Sequence, residues 1–487
     1  MLFRVHSATS EGLLMSIIGR EKEIETLNYC FKSEKSEFVA VYGRRRVGKT
    51  FLIKELFEDK FCFYSTGILD GDKHTQLTAW NNEISRFGGS DIPPAGNWID
   101  AFSNLNTLIT NKYSDRSEKK VIFLDEVPWM ATIHSDFLAG LDYYWNRWAS
   151  SRRDILLIIC GSAASWITEK IINNKGGLHN RLTRHIYVAP FTLKECEKYF
   201  LYHHIPMTRY QIAESYMIFG GIPYYLSLMD PKYSLYQNVD KMYFSEHSEL
   251  NNEFDNLFHS LYINAENYIK VIEALALKGI GLTRLEISKF SGVSDGGTLT
   301  KIIENLKISG FIREYKAYGK KKKDSLYQLI DFFTIFDIRF RNERNKHSTD
   351  FWLRFSGASG YSTWSGITFE KLCLLHLEQI RKKLGISGVL TAVYSWKGKY
   401  EDSGAQIDLV IDRNDNVINL CEMKFSSKPY TLQKSDYESL RNKRAVFSDS
   451  THTKKAIVTT LITTFGLTWN MYSAEILSQV VLDDLFT

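Results

Sequence analysis

Short, almost continuous apolar runs alternate with helical patterns through the first part of this chain. The runs occupy residues 38–42, 61–64, 121–124 and 155–160, and runs of this length are typical of strands buried on both faces. Strands that alternate with helical segments predict a doubly wound α/β domain built on a parallel sheet.

The loop after the first of these runs has the composition of a phosphate-binding loop (P-loop). Gly43 and Gly48 allow the backbone to bend around phosphates, and N–H groups at the start of the following helix point toward them. In such a loop Lys49 reaches the β- and γ-phosphates, and Thr50 places its hydroxyl on Mg²⁺. The predicted ATP-binding residues are Gly43, Arg44, Arg45, Arg46, Val47, Gly48, Lys49, Thr50 and Phe51.

A second apolar strand ends in two acids, Asp125 and Glu126. This pattern is typical of a Walker B strand, in which the first acid holds Mg²⁺ and the second polarises the attacking water. The alternative is a buried strand that happens to end in solvated acids. Because a P-loop precedes it in the same chain, we interpret the pair as part of one hydrolysis site, with ATP and Mg²⁺ as cofactors.

Composition narrows the class of protein further. The 487 residues are 44% hydrophobic and suffice for about three domains. The six cysteines form no CxxC pair, which predicts reduced, buried thiols in a cytoplasmic protein. No apolar run approaches the roughly 20 residues of a membrane span, and the N-terminus lacks a signal-peptide layout. The net charge of +5 permits nucleic-acid binding without requiring it.

Residues 255–345 show three helical patterns followed by a basic hairpin, which resembles a winged helix-turn-helix. The predicted exposed face of the third helix carries Thr298, Lys301, Asn305 and Lys307, and the hairpin tip is a run of four lysines. Lysines at such a tip suit phosphate contact, so we expect DNA binding. The alternative is a spacer between domains with a solvated turn. The predicted DNA-binding residues are Thr298, Lys301, Lys320, Lys321, Lys322 and Lys323.

Two strands near the C-terminus carry a second group of charged residues. Residues 406–411 and 417–424 flank a turn, so a hairpin brings Asp408 alongside Glu422, give or take one residue of register. Side chains alternate along a strand, and therefore Glu422 and Lys424 share a face. Two carboxylates can hold Mg²⁺ or Mn²⁺, and a lysine beside them suits metal-assisted phosphodiester hydrolysis.

The motifs of the N-terminal half resemble those of archaeal and bacterial AAA+-type ATPases of the signal-transduction ATPase lineage. Besides the P-loop, the motifs are Gly19-Arg20-Glu21, Asp125-Glu126-Val127-Pro128-Trp129, Cys160-Gly161-Ser162-Ala163, His179-Asn180-Arg181, Pro190-Phe191 and Gly220-Gly221-Ile222-Pro223. The resemblance implies a helical lid around residues 220–223. It also places Ser162 at the sensor position and makes Arg181 an arginine finger, acting in cis or from a neighbouring protomer of a homo-oligomer.

Each of these assignments has an alternative. Ser162 could cap the following helix, and Arg181 could be surface charge, with Arg184 as a second choice for the finger. The three arginines of the P-loop could neutralise phosphates, contact another domain or stay solvated.

The C-terminal pattern Asp408…Glu422-x-Lys424 is similar to that of the PD-(D/E)xK nuclease superfamily. That resemblance implies a restriction-endonuclease-like α/β domain and adds Glu370, at the position where the superfamily often supplies another acid. The alternative for Glu370 is an acid near a helix start, favoured by the macrodipole. Ile407 stands where the superfamily pattern has a proline, which leaves the fold assignment intact but weakens the prediction of cleavage.

Together these patterns predict five segments: residues 1–15, an N-terminal extension; 16–190, the ATPase core; 191–254, the lid; 255–345, the winged helix; and 346–487, the nuclease-like domain. The leading hypothesis is an ATP-hydrolysing, DNA-binding protein with metal-dependent cleavage. The alternatives are a non-catalytic nucleotide switch, whose last domain only binds nucleic acid or a protein partner, and a transcriptional regulator.

Overall fold

The computed structural model describes residues 17–132, 135–173, 176–178, 180–319, 325–344, 346, 350–400 and 403–487. The chain divides into two compact units, Met1–Pro190 and Phe191–Thr487. In the described part of the chain, no helix is both long and apolar enough to span a membrane.

The first unit is built on a five-stranded parallel sheet with the order β2-β3-β4-β1-β5. The strands are β1 (Glu37–Tyr42), β2 (Phe61–Thr66), β3 (Lys120–Asp125), β4 (Ile155–Gly161) and β5 (Arg184–Tyr187). The central strands β3 and β4 are buried along their whole length, as expected for a sheet covered on both faces. The predicted α/β fold is therefore confirmed.

Helices connect these strands. They are α1 (Glu21–Lys32), α2 (Lys49–Phe57), α3 (Lys73–Arg86), α4 (Trp98–Lys112), α5 (Val127–Met130), α6 (Phe137–Arg147) and α7 (Ala164–Ile167). Large aromatic side chains fill the core around α3, α4 and α6: Trp80 lies 5.4 Å from Trp98 and 5.1 Å from Phe102, between ring centroids. This packing holds the strands of the sheet in place, and the candidate site lies at the ends of those strands.

The second unit begins with helices. They are α8 (Leu193–Tyr202), α9 (Arg209–Phe219), α10 (Pro223–Ser227), α11 (Leu235–Val239) and α12 (Glu253–Leu261). Two glycines separate α9 from α10. Gly220 ends α9 at φ +68°, and a Cβ on Gly221, at φ +64°, would lie 2.3 Å from the Phe191 carbonyl oxygen. The glycines are needed because the backbone turns sharply against residue 191.

Three helices and a small sheet follow. They are α13 (Ala265–Ala276), β6 (Leu282–Thr283), α14 (Arg284–Ser291), α15 (Gly297–Ile308), β7 (Ile312–Tyr315) and β8 (Leu326–Leu329). The strand order is β6-β8-β7, and both pairings are antiparallel. Thr283 caps α14 through a capping box with Glu286, as its position predicts.

The last part of the chain forms a second five-stranded sheet with the order β13-β12-β11-β10-β9. Its elements are α16 (Phe332–Arg344), α17 (Phe351–Phe355), α18 (Ser359–Leu375), α19 (Leu377–Lys383), β9 (Thr391–Tyr400), β10 (Ser403–Arg413), β11 (Val417–Lys424), α20 (Lys434–Thr451), β12 (Ala456–Thr463) and β13 (Ser478–Val481). Strands β9 to β11 pair antiparallel, and β11 to β13 pair parallel. The predicted hairpin is thus observed as β10 and β11.

Candidate functional site

The P-loop joins β1 to α2 through backbone conformations that favour glycine. Gly48 has φ +89°, and Gly43 approaches the β5 side of the sheet so closely that a Cβ would lie 2.3 Å from the Val188 carbonyl oxygen. Both glycines are therefore required by the path of the loop. Because α2 begins at Lys49, its N-terminus faces the loop and favours negative charge there.

Arg20 supports this loop from outside the motif. Its guanidinium Nη2 donates to the Val47 carbonyl oxygen at 3.2 Å, although the two residues are 27 positions apart, and Arg20 itself is buried. In the sequence, Gly19-Arg20-Glu21 is recognisable only as a motif that carries the resemblance to AAA+-type ATPases. The contact supplies its physical role, which is to fix the conformation of the P-loop.

Lys49 is buried at the centre of the site. Its ammonium donates to the carbonyl oxygens of Gly43 at 3.1 Å and Arg44 at 3.0 Å, and to the Ser162 hydroxyl at 3.3 Å. The last contact joins the P-loop to the end of β4. Because the Lys49 ammonium is already buried and hydrogen-bonded to these acceptors, it can bind a phosphate without first losing a hydration shell.

Asp125 and Thr50 form the part of the site that suits Mg²⁺. The Thr50 hydroxyl donates to Asp125 Oδ2 at 2.8 Å, so two hard oxygen ligands lie side by side at the strand end. Burial raises the pKa of the Asp125 carboxyl, although the bond from Thr50 opposes the shift. A hydroxyl beside a buried carboxylate fits a magnesium ion that also binds phosphates.

Glu126 is held by Ser162 through two hydrogen bonds. The Ser162 hydroxyl donates to Oε1 at 2.5 Å, and its backbone N–H donates to Oε2 at 3.0 Å. Glu126 itself has φ +45°, an unusual conformation for a glutamate. The side chain of Ser162 makes no cap of α7, whose N-cap residue is Ala163, so the capping alternative for Ser162 is wrong.

The arginines of the first unit lie in different environments. Arg44 is buried with 1% exposure, so the solvated alternative fails for this residue. Arg181 is exposed just before β5. Arg184 is exposed in β5, paired with Val39 rather than with the P-loop end of β1, and its guanidinium lies 5.5 Å from the Tyr29 ring. Among the described residues, neither candidate finger makes a hydrogen bond or an ion pair with Glu126.

The residues predicted on the exposed face of the third helix and at the hairpin tip divide into three groups. Thr298 and Lys301 are exposed on α15. Asn305 and Lys307, predicted on the same exposed face, are instead half-buried: Asn305 donates to the Tyr268 hydroxyl at 2.7 Å, and Lys307 pairs with Glu314 at 2.7 Å and with Glu304. Lys320 to Lys323 lie outside the described residues.

The C-terminal acids approach one another at the junction of α18, β10 and β11. Asp408 lies next to the last β10–β11 pair, Leu409 with Cys421, and within an irregularity of the β9–β10 pairing. A bulge of this kind redirects a side chain. Burial first, and then the charges of Asp408 and Glu422, raise the pKa of Glu370 to about 8.

Glu370 does not lie near a helix start. The macrodipole alternative requires Glu370 to lie in the first turn of its helix, but α18 begins at Ser359 and ends at Leu375. The helix macrodipole therefore does not stabilise the ionised Glu370 at this position, since it favours negative charge only in the first turn. The macrodipole therefore does not explain the position of Glu370, which is half-buried near the end of α18.

Lysines surround Glu422. Lys424 Nζ lies 3.2 Å from Oε1, and Lys443 Nζ lies 2.6 Å from Oε2. Burial by itself lowers the pKa of Lys424, but the charge of Glu422, its hydrogen bond and the charges of Tyr430 and Asp436 together outweigh burial, so the pKa lies above its usual value. Lys443 lies on α20, and the sequence patterns gave no signal for it.

As arranged, the acids do not fit a divalent cation. Within the described ranges no group of three or more His, Cys, Asp or Glu side chains is placed to hold a metal ion. The expected metal site at Glu370, Asp408 and Glu422 is corrected accordingly: the acids are neighbours, but both oxygens of Glu422 face ammonium groups rather than a shared centre.

A buried lysine, Lys371, lies next to Glu370 in the chain. Burial lowers the pKa of Lys371 to about 8, and the charge of Arg313 contributes. The Lys371 ammonium donates to the carbonyl oxygens of Gly279 at 2.9 Å and Leu329 at 3.3 Å. Lys371 thus connects α18 to the small sheet, directly beside Glu370 in the chain.

Comparisons with known proteins agree with the geometry of the first site. Residues 17–229 match the model of an ATPase domain found predominantly in Archaea. An uncharacterised protein of Methanocaldococcus jannaschii is 25% identical over 432 residues, which cover 88% of this chain and 91% of that protein.

Two solved structures show similarity at low identity. A Walker-type ATPase of Pyrococcus abyssi has a TM-score of 0.45 and 17% identity, and the match covers 66% of this chain and 96% of that one. A signal-transduction ATPase with a tetratricopeptide repeat sensor from Pyrococcus horikoshii has a TM-score of 0.31 and 17% identity, covering 76% of this chain and 52% of that one. The family match, together with the P-loop geometry, supports ATP binding and hydrolysis by residues 17–229.

Proposed function

We propose that this protein hydrolyses ATP and uses the nucleotide state to control nucleic-acid binding by its second unit. The observation that carries the proposal is one continuous network, from Thr50 and Asp125 to Glu126, Ser162 and Lys49. It brings together a phosphate-binding lysine, oxygen ligands for Mg²⁺ and an acid able to polarise water.

Each residue has a separate role in this proposal. Lys49 and the start of α2 bind the phosphates, and Thr50 and Asp125 would hold Mg²⁺, which neutralises phosphate charge when bound. Glu126 orients the attacking water and accepts its proton. Ser162 positions Glu126 and also contacts Lys49. A shift of Lys49 on phosphate binding would therefore change the position of Glu126 through Ser162. Arg181 acts as the arginine finger, supplied in cis or by another copy of the chain.

Release of phosphate from ATP by the purified full-length chain tests this proposal. Wild type should require Mg²⁺, and Asp125→Asn should lose most of the activity because the hard carboxylate ligand is gone. Magnesium-independent hydrolysis at the same rate in both proteins would overturn the assignment.

For the second unit we propose DNA binding through a winged helix made of α13, α14, α15, β7 and β8. Exposed Thr298 and Lys301 support it, together with the tetralysine between β7 and β8. Retention on duplex DNA that weakens steeply with salt is the expected behaviour. A single protected sequence in footprinting would instead favour a transcriptional regulator.

A second candidate function is metal-dependent phosphodiester cleavage by a nuclease-like domain formed by residues 346–487. The residue types Glu370, Asp408, Glu422 and Lys424 suggest it, and Lys424 lies 3.2 Å from Glu422, although among the described residues the carboxylates do not surround a shared cation. Cleavage that needs Mg²⁺ or Mn²⁺ and disappears in Lys424→Ala would support it. Its rival is a non-catalytic domain that binds nucleic acid or a protein partner, for which no cleavage is expected under any metal condition.

A further inference from the structure

The hairpin of the proposed winged helix is short, and its strand pairing ends well before the basic loop. Strands β7 and β8 have four residues each, and the last pair toward the loop is Tyr315 with Leu326. Residues 316–319, here called the wing arm, continue beyond that pair. A two-stranded hairpin of this size is only marginally stable by itself. The direction of the wing arm therefore depends on contacts outside the hairpin.

The C-terminal sheet supplies backbone contacts to the wing arm. Ala317 forms a parallel bridge with Ser395 of β9, which is an edge strand of that sheet. The Tyr318 N–H donates to the Ser395 carbonyl oxygen at 2.8 Å. An edge strand presents backbone groups that can pair with another segment, and here the segment that pairs with β9 is the wing arm.

The side chain of Tyr318 anchors the wing arm in the core of the same sheet. Its ring lies 5.4 Å from the Tyr394 ring, in an edge-to-face arrangement, and 5.2 Å from the Phe447 ring, between centroids. Phe447, on α20, is fully buried, and half-buried Tyr318 packs against the cluster that also contains Trp396. Aromatic pairs of this geometry contribute more than their buried area alone. Side-chain packing therefore reinforces the single backbone bridge.

We propose that Tyr318 is a positioning residue for DNA binding, because it fixes the wing arm on the C-terminal sheet. This inference rests on the DNA binding proposed for the winged helix. The four lysines begin at Lys320, two residues after Tyr318 in the chain. An anchored wing arm has already lost the backbone freedom that a free segment would lose on binding DNA, so less entropy is lost when the lysines contact phosphates. Tyr318 acts through those lysines and needs no contact with DNA itself.

A double-mutant cycle on the full-length chain tests this role, with affinity for mixed-sequence duplex DNA measured at one fixed salt concentration. Tyr318→Ala should weaken binding about tenfold, because the wing arm is no longer ordered before binding. Tyr394→Ala removes the same ring contact from the β9 side and should have a similar effect, so the test does not depend on a single variant. When Lys320 to Lys323 are serines, Tyr318→Ala should cause no further loss.

The matched control is Tyr437→Ala. Tyr437 is also half-buried, on α20, but its described ring contacts are with Tyr472 at 5.7 Å and with Arg441 at 5.6 Å, so DNA affinity should stay at the wild-type value. Tyr318→Phe keeps the ring and should also bind as wild type does.

Two kinds of failure can be told apart. If Tyr318→Ala leaves DNA affinity unchanged, or weakens it by the same factor with and without the four lysines, the positioning role is overturned, while weaker binding by the tetraserine variant alone would leave DNA binding by the winged helix standing. If the tetraserine variant binds as tightly as wild type, the proposed DNA contact of this region is overturned together with the role of Tyr318.

Discussion

The Ser162 hydroxyl donates to the Glu126 carboxylate at 2.5 Å, and the Ser162 N–H donates to the second oxygen of the same carboxylate at 3.0 Å. The end of β4 therefore fixes the acid that follows β3. Since the Ser162 hydroxyl also lies 3.3 Å from the Lys49 ammonium, a single side chain connects the proposed phosphate-binding and water-activating groups.

Ser162→Ala should lower kcat for ATP about tenfold to a hundredfold while leaving ATP affinity close to that of wild type. A hydrogen bond to a charged group contributes about 1.5–3 kcal/mol, and this one positions Glu126 rather than the nucleotide. Steady-state hydrolysis and equilibrium nucleotide binding separate the two effects. Ser162→Thr keeps the hydroxyl and should recover activity; an unaltered kcat in Ser162→Ala would show that the contact is only structural.

The second unit should lose stability in mild acid because of His376. This histidine is buried, its Nε2 accepts from the Leu193 N–H at 3.3 Å, and its Nδ1 lies 2.8 Å from the Leu372 carbonyl oxygen. Those contacts fit the neutral ring, and burial lowers its pKa from 6.5 to about 4.

Because the pKa of His376 is lower in the folded state than in the unfolded state, the free energy of unfolding decreases as the pH falls. The stabilisation by neutral His376 is fully present above pH 6.5, is lost as the pH falls toward 4, and amounts to at most about 3 kcal/mol. Thermal melting of the full-length chain between pH 7.5 and 4.5 measures it. His376→Gln should flatten this dependence, whereas the matched change at exposed His452 should not. Equal slopes in all three proteins would contradict the assignment.

Replacement of Lys320 to Lys323 by serine should weaken DNA binding without regard to sequence. It should also reduce the slope of log affinity against log salt by up to roughly four units, about one for each lost phosphate contact. The control is Lys307→Gln, because Glu314 and Glu304 already neutralise Lys307. Unchanged affinity and slope in the tetraserine variant would favour a spacer role for this region.

The strands and the first site could be predicted well from sequence because their signals are local. Apolar runs mark β1, β3 and β4, and the P-loop and the Asp125–Glu126 pair follow directly at the strand ends. The contact between Thr50 and Asp125 then follows from strand order in a parallel sheet, whose carboxyl ends share one edge.

The C-terminal cluster was harder to predict because it depends on tertiary packing. Strand alternation predicts that Glu422 and Lys424 meet, as they do. The start of α18 at Ser359 cannot be predicted from the sequence, since its mixed polar and apolar pattern shows no clear amphipathic face. No local pattern could indicate that Lys443, on a polar surface helix, folds back onto Glu422.

ATP turnover by Glu126→Gln, compared with Lys49→Ala and wild type, tests the central claim most directly. Glu126→Gln should still bind ATP with Mg²⁺, because Lys49, Thr50 and Asp125 are intact, but should lose hydrolysis. Lys49→Ala should lose hydrolysis together with most nucleotide affinity, because the ammonium that reaches the phosphates is gone. Hydrolysis by Glu126→Gln at the wild-type rate would contradict the proposed site.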